Sequence, residues 1–127
     1  MANPTIENHD TTPLIIANPY YSNQTIVAGQ DLQAGSVLGV ITASGKLKLV
    51  EEALDPVPDG SEVARFVLTQ DVNAVADTVV SVLKAGVVNA EKLIFGDDET
   101  WEDHEIELRD ACIMTVETKT YQKKDNQ

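Results

Sequence analysis

The chain has 127 residues, enough for one ordinary domain that buries roughly two-thirds of its unfolded surface without disulfide or metal staples. Hydrophobic residues make up 43% but aromatics only 5%, so a core must be built from Val, Leu, Ile and Ala. With 9 Lys and Arg against 21 Asp and Glu, the net charge is -12, a surface that repels phosphate backbones and argues against nucleic acid as a partner.

Residues 1–21 read as an extended arm. They hold Pro4, Pro13 and Pro19, several Asn and Thr, and no Lys or Arg. Proline fixes φ and removes a ladder donor, while Asn and Thr compete with helix through local side-chain bonds. The opening decapeptide lacks the basic stretch and apolar run of a secretory signal. Inside the arm sits an apolar patch, Leu14-Ile15-Ile16-Ala17, followed by Asn18-Pro19-Tyr20-Tyr21. Such a patch either packs on its own domain or docks on something else.

From Ser22 onward short strands alternate with glycine turns. Thr25-Ile26-Val27 leads into Ala28-Gly29-Gln30-Asp31. Residues 36–42 and 46–50, joined by Ala43-Ser44-Gly45, form a hairpin with near-strict alternation in its second strand. Residues 51–61, with Pro56, Pro58, Asp59 and Gly60, are a surface loop. Two β-branched runs follow at 63–69 and 78–83, linked by Asp71-Val72-Asn73-Ala74 as a turn or irregular crossing. A helix over 72–83 is disfavoured by Thr78-Val79-Val80. Lys84-Ala85-Gly86 is a break, and 90–95 fits either a strand or one helical turn.

Next come Trp101, Glu105 and Leu108 on one helical stripe, with acids massed in the early turns where the helix dipole favours them. Residues 111–116 are a final strand and 119–127 a polar tail. The sum is a mainly β, β-rich α+β chain: a small β-barrel-like domain over 22–118 with one short helix and the extended N-terminal arm at 1–21.

The longest apolar runs, at 14–17 and 37–41, fall far short of the ~20 residues that span a bilayer, so a membrane is not an expected partner. Cys112 is the only cysteine, which excludes an intramolecular disulfide and zinc sites built on Cys pairs and fits synthesis in a reducing cytoplasm. Asn23-Gln24-Thr25 matches the glycosylation tripeptide by chance.

No catalytic constellation emerges. Gly45-Lys46 fails as a phosphate loop, because Val40 stands where the first glycine belongs and Leu47 where Ser or Thr must follow; a hairpin glycine at positive φ explains it. The acidic stretch 97–110 lacks the glycine of an EF-hand loop and reads as a solvated face. His9 and His104 read as surface histidines, and Cys112 as a buried small hydrophobe. The chain is therefore expected to be no enzyme and to hold no cofactor or metal.

Several segments together resemble the lambda-type bacteriophage head decoration (capsid-stabilising) proteins. They are Leu14-Ile15-Ile16-Ala17-Asn18-Pro19, then the glycine-punctuated series from Ile26 through Gly29, Gly35 and Gly39 to Lys46, then Ala85-Gly86-Val87-Val88-Asn89 with Leu93, and Leu108-Arg109-Asp110-Ala111-Cys112-Ile113. The resemblance implies a β-rich domain that forms a homotrimer, sits on the outer surface of an icosahedral phage capsid at local three-fold positions, and stabilises the shell. It also implies that the segment before the first core strand adds to elements of the major capsid protein. Here that capsid-binding segment is Thr11, Thr12, Pro13, Leu14, Ile15, Ile16, Ala17, Asn18, Pro19, Tyr20 and Tyr21, within a protein made in the host cytoplasm. The acidic stretch and the polar tail exceed the family pattern, so no role is carried onto them.

The alternative is a peripheral β-barrel binding or carrier module of the lipoyl- or biotinyl-like kind, which would present Lys46 at its turn for modification. The flanking residues such a site usually has are missing. An extended apolar arm suits β-augmentation on its own physical grounds, because main-chain bonds give affinity and alternate side chains give specificity.

Overall fold

In the computed structural model, which describes residues 13–51, 58–96 and 99–117, two long strands of 12 residues each organise the molecule: β1 (Ile15–Ile26) and β7 (Thr78–Asn89). They run antiparallel, from Ile15 opposite Val88 to Ile26 opposite Thr78. Between them lie β2 (Gln30–Leu32), β3 (Val37–Val40), β4 (Leu47–Leu49), β5 (Phe66–Leu68) and β6 (Val72–Ala74). A 3-10 turn at Ala90–Lys92, helix α1 (Trp101–Asp110) and β8 (Ile113–Val116) follow.

The main sheet has the order β1-β4-β3-β5-β7-β8, and the β1–β7 ladder closes it into a ring. The β3–β4 hairpin is the one the alternation predicts, pairing Leu38 with Leu49 and Val40 with Leu47. The ring is completed at β4 by a parallel step, Ile26 opposite Leu47, with the Val27 amide donating to the Leu47 carbonyl at 3.0 Å. A separate antiparallel pair, β2 and β6, forms a second, two-stranded sheet. The fold is thus mainly β with one α-helix among the described residues, as the sequence indicates.

Strand geometry explains why apolar residues come in adjacent pairs. Successive side chains point to opposite faces, and Leu38, Leu68 and Val82 fill one core with Ile26, Leu32, Leu47, Ala74 and Val80. Their immediate neighbours Val37, Val67 and Leu83 belong to a second core with Val50, Ala64, Val88, Leu108 and Ile113. The strands carrying these pairs are therefore a wall between two cores, and strands covered on both faces read as continuous apolar runs. Each fully buried Val or Leu contributes about 1.5–3 kcal/mol. Gly39 lies where the β3 backbone meets the 60s loop, and a Cβ placed there would stand 2.1 Å from the Ser61 carbonyl oxygen.

Several expectations change. The Lys84-Ala85-Gly86 break does not occur: β7 continues through it, because β1 holds one of its edges along the whole length while β5 and then β8 take up the other. The cluster Asp71-Val72-Asn73-Ala74 is no simple turn, since Val72–Ala74 is β6. Residues 90–92 adopt the helical-turn alternative, capped by the Asn89 side chain accepting from the Glu91 amide at 3.1 Å.

Helix α1 forms within the acidic stretch, as expected, and opens with the Thr100 amide donating to Asp103 Oδ2 at 3.0 Å, but its buried residues are His104 and Leu108. Glu105, placed on the inner stripe by sequence, is only half-buried. β1 runs without interruption across residues 21 and 22, so the expected junction between arm and domain falls inside a strand. The tail 119–127 and the first part of the arm lie outside the described residues.

Candidate docking surface

The segment singled out by sequence is the head of β1. Thr11 and Thr12 lie outside the described residues, and Pro13 is exposed. Leu14 and Ile15 are half-buried and pack on the second core. The Leu14 carbonyl accepts from the Asn89 amide at 2.8 Å, and Ile15 lies opposite Val88. Half of the apolar patch thus belongs to the protein's own fold.

The other half faces outward. Ile16 is 41% and Tyr20 62% exposed, with Asn18, Pro19 and Tyr21 also on the surface and Ala17 half-buried. A bulge produces this display. The β1–β7 register shifts between Ile15 and Ala17, again before Tyr20, and once more before Tyr21. At its centre Asn18 has φ 52, a left-handed conformation that Asn tolerates better than most residues, and Pro19 follows with no amide to donate. Opposite, Gly86 at φ 140 lets the two backbones approach: a Cβ there would lie 3.0 Å from the Asn18 carbonyl oxygen. Bulges of this kind re-aim side chains and terminate pairing. Two of the segments that carry the family resemblance, one around Asn18-Pro19 and one around Gly86, are therefore two sides of one contact.

Two further properties favour contact with another macromolecule. Along one edge β1 pairs with β7, while along the other its only strand contact among the described residues is the Ile26 step to β4. Among the described residues no strand pairs with the opposite edge of residues 15–25, and open edges are templates for strand addition. Residues 13–30 also contain no Asp, Glu, Lys or Arg in a chain of net charge -12. A contact here would desolvate no charge.

Elsewhere the structure offers little chemistry. No group of three or more His, Cys, Asp or Glu able to hold a metal is present among the described residues. A hollow of about 200 Å³ lined by Asp31, Leu32, Gln33, Ser36, Leu49 and Ile94 has its serine occupied, the Ser36 hydroxyl donating to the Gln33 carbonyl at 2.7 Å. Lys46, which the carrier alternative would display, is engaged with the Asp77 carboxylate, and that pairing holds the Asp77 pKa below the ordinary value.

Two sequence readings are corrected. Cys112 is exposed, at φ 72 in the turn between α1 and β8, because the inward position at the head of that strand is taken by Ile113. His104 is buried at 5% exposure, not on the surface. Its Nε2 lies 2.6 Å from Glu99 Oε1 and its Nδ1 2.7 Å from Glu107 Oε1. The spacing His104-x-x-Glu107, one helical turn, was the signal available for the second of these. His9 lies outside the described residues.

Among known families, residues 5–109 match the sequence model described as bacteriophage lambda head decoration protein D. No curated protein sequence gives a match.

Proposed function

The chain belongs to the bacteriophage lambda head decoration protein D family, and from that premise we propose that it forms a homotrimer that binds the outer surface of a phage head at local three-fold positions and stabilises the shell. The family is one of structural phage head decoration proteins, and the reading gives the chain no catalytic role. The contact with the major capsid protein is assigned to residues 11–21, with Ile16, Tyr20 and Tyr21 as the side chains that meet the shell and the open edge of β1 as the place where a capsid strand adds.

The observation that carries this reading is the coincidence of an uncharged stretch, outward apolar side chains and an open strand edge on one short segment. Main-chain pairing along such an edge supplies affinity, and three copies on one trimer multiply weak contacts through effective concentration. Cyclic symmetry lets each subunit bury the same pair of patches.

The test uses shells free of decoration protein, mixed with the wild-type chain and with Ile16→Asp or Tyr20→Asp, and imaged by electron microscopy. Wild-type protein should give protrusions at three-fold positions. Each variant should lose most of its occupancy while keeping its thermal midpoint, because a carboxylate without a partner in a dry contact costs roughly several kcal/mol. Full occupancy by both variants would overturn the docking assignment, and single unclustered subunits on the shell would overturn the trimer.

A further inference from the structure

We propose that Glu99, His104 and Glu107 form a proton-dependent clasp that fastens α1 to the rest of the molecule and, through the second core, steadies the head of β1. The clasp concerns the chain's own fold and stands whether or not β1 docks on a capsid.

The geometry fixes the proton count. Both ring nitrogens of His104 face carboxylate oxygens at hydrogen-bond distance, 2.6 Å to Glu99 and 2.7 Å to Glu107. A neutral imidazole donates from one nitrogen only, leaving its other lone pair against an acceptor. Both contacts are satisfied together by the imidazolium. The setting is dry enough for this to matter, with the His104 side chain 7% and that of Glu99 19% exposed.

The same groups tie together separate parts of the chain. Glu107 Oε1 also accepts from the Ala64 amide, ahead of β5, at 2.8 Å. The Phe95 ring, just past the 3-10 turn, lies parallel to the His104 ring with centroids 5.2 Å apart and an interplanar angle of 14°, a face on which a cation is favoured. An isolated helix of α1's length is marginal in water, and His104 and Leu108 are the residues it buries. Leu108 packs in the core that also holds Leu14, Ile15, Val88 and Ile113. Loosening α1 therefore uncovers the residues that seat the head of β1.

Among the described residues, the charges that bear on His104 are Glu107 within α1 and Glu99 ahead of it. From the elements beneath, Val67 of β5, Leu83 and Val88 of β7 and Ile113 of β8 contribute apolar surface. Burial by itself lowers the pKa of His104, but the hydrogen bonds and charges of Glu107 and Glu99 outweigh it and leave the pKa raised above the ordinary 6.5. A group raised on folding stabilises fully below its unfolded value and loses that contribution as pH climbs through its folded value. The clasp is closed in mild acid and opens on the alkaline side of 6.5.

Nuclear magnetic resonance titration of the full chain tests this directly, since His9 and His104 are the only histidines and each gives its own signal. His104 should titrate above 6.5, and Glu99→Gln should lower its midpoint. Hydrogen-exchange protection of the α1 amides and of Ala17, corrected for intrinsic rates, should fall by up to about tenfold per pH unit across the window. His104→Gln should remove that slope. A wild-type midpoint at or below 6.5, a midpoint unmoved by Glu99→Gln, or α1 protection that does not change with pH would each overturn the clasp. The titrations need only the wild type and Glu99→Gln, so they decide the matter even if His104→Gln fails to fold.

Discussion

Gly39 shows how one missing side chain positions a loop. A Cβ there would stand 2.1 Å from the Ser61 carbonyl oxygen and 2.8 Å from that of Val63, both backbone atoms that no rotamer change can move. Gly39→Ala should therefore cost ~3 kcal/mol or more, at the severe end of overpacking, and a urea midpoint close to wild type would show that the loop can give way. The same loop holds Asp59, whose Oδ1 accepts from the Ser61 hydroxyl at 2.5 Å and from the Ser61 amide at 2.9 Å. These bonds, with a smaller contribution from Lys48, lower its pKa from 3.8 to about 2. A depressed carboxylate stabilises above its unfolded value and loses that contribution as pH falls through its folded one. The advantage of wild type over Asp59→Asn should be full well above 3.8 and fade as pH falls through about 2, as read from urea midpoints. A constant difference across that range would place the effect elsewhere.

At the scale of elements, the head of β1 alternates between core and solvent. Ile15 packs on the second core, and its neighbour Ile16 points to solvent. Ile15→Asp should lower stability by roughly 2–4 kcal/mol, as expected for a carboxylate pressed into apolar surroundings. Ile16→Asp should change it by less than about 0.5 kcal/mol. Parallel thermal and chemical unfolding of the two variants checks the contrast; equal losses would mean that both side chains are core. Removing residues 1–21 strips β7 of its β1 partner from Leu83 to Val88 and takes Leu14 and Ile15 out of the core. A shell-binding defect in that truncation would mix folding with docking, so the single outward substitutions are the cleaner probe.

For the whole molecule, charge and the proposed contact surface are separated. The net charge of -12 resides outside residues 13–30, which carry none of it. Exposed charges are screened within roughly 8 Å at physiological ionic strength, whereas apolar and main-chain contacts are not. Shell occupancy should accordingly change by less than about tenfold between low and physiological salt. A steeper loss would mean that charge carries the binding. The apolar run Val79, Val80, Val82 and Leu83 is mostly satisfied internally. Val79 alone stands exposed, at 67%. A trimer would have to draw its contacts from other surfaces, and sedimentation at micromolar concentration would reveal it.

Local chemistry was enough to reveal the β3–β4 hairpin, a short helix in the acidic stretch and the mainly β class, because alternation, turn glycines and helical periodicity act over a few neighbours. It was also enough to mark residues 14–21 as unusual, since an apolar patch in a polar, proline-bearing stretch is visible without coordinates. What lay beyond reach were facts created by partners distant in the chain. Ile15 is core and Ile16 surface only because β7, some 70 residues later, pairs with β1 and α1 covers one face. β7 continues through Gly86 because strands stand on both its edges and because glycine admits the Asn18 bulge. His104 looks like any surface histidine until the turn into α1 brings Glu99 to one nitrogen while the helix brings Glu107 to the other. Sequence sets what each segment can form; which face is covered, and which polar atoms meet, is decided when the ring closes.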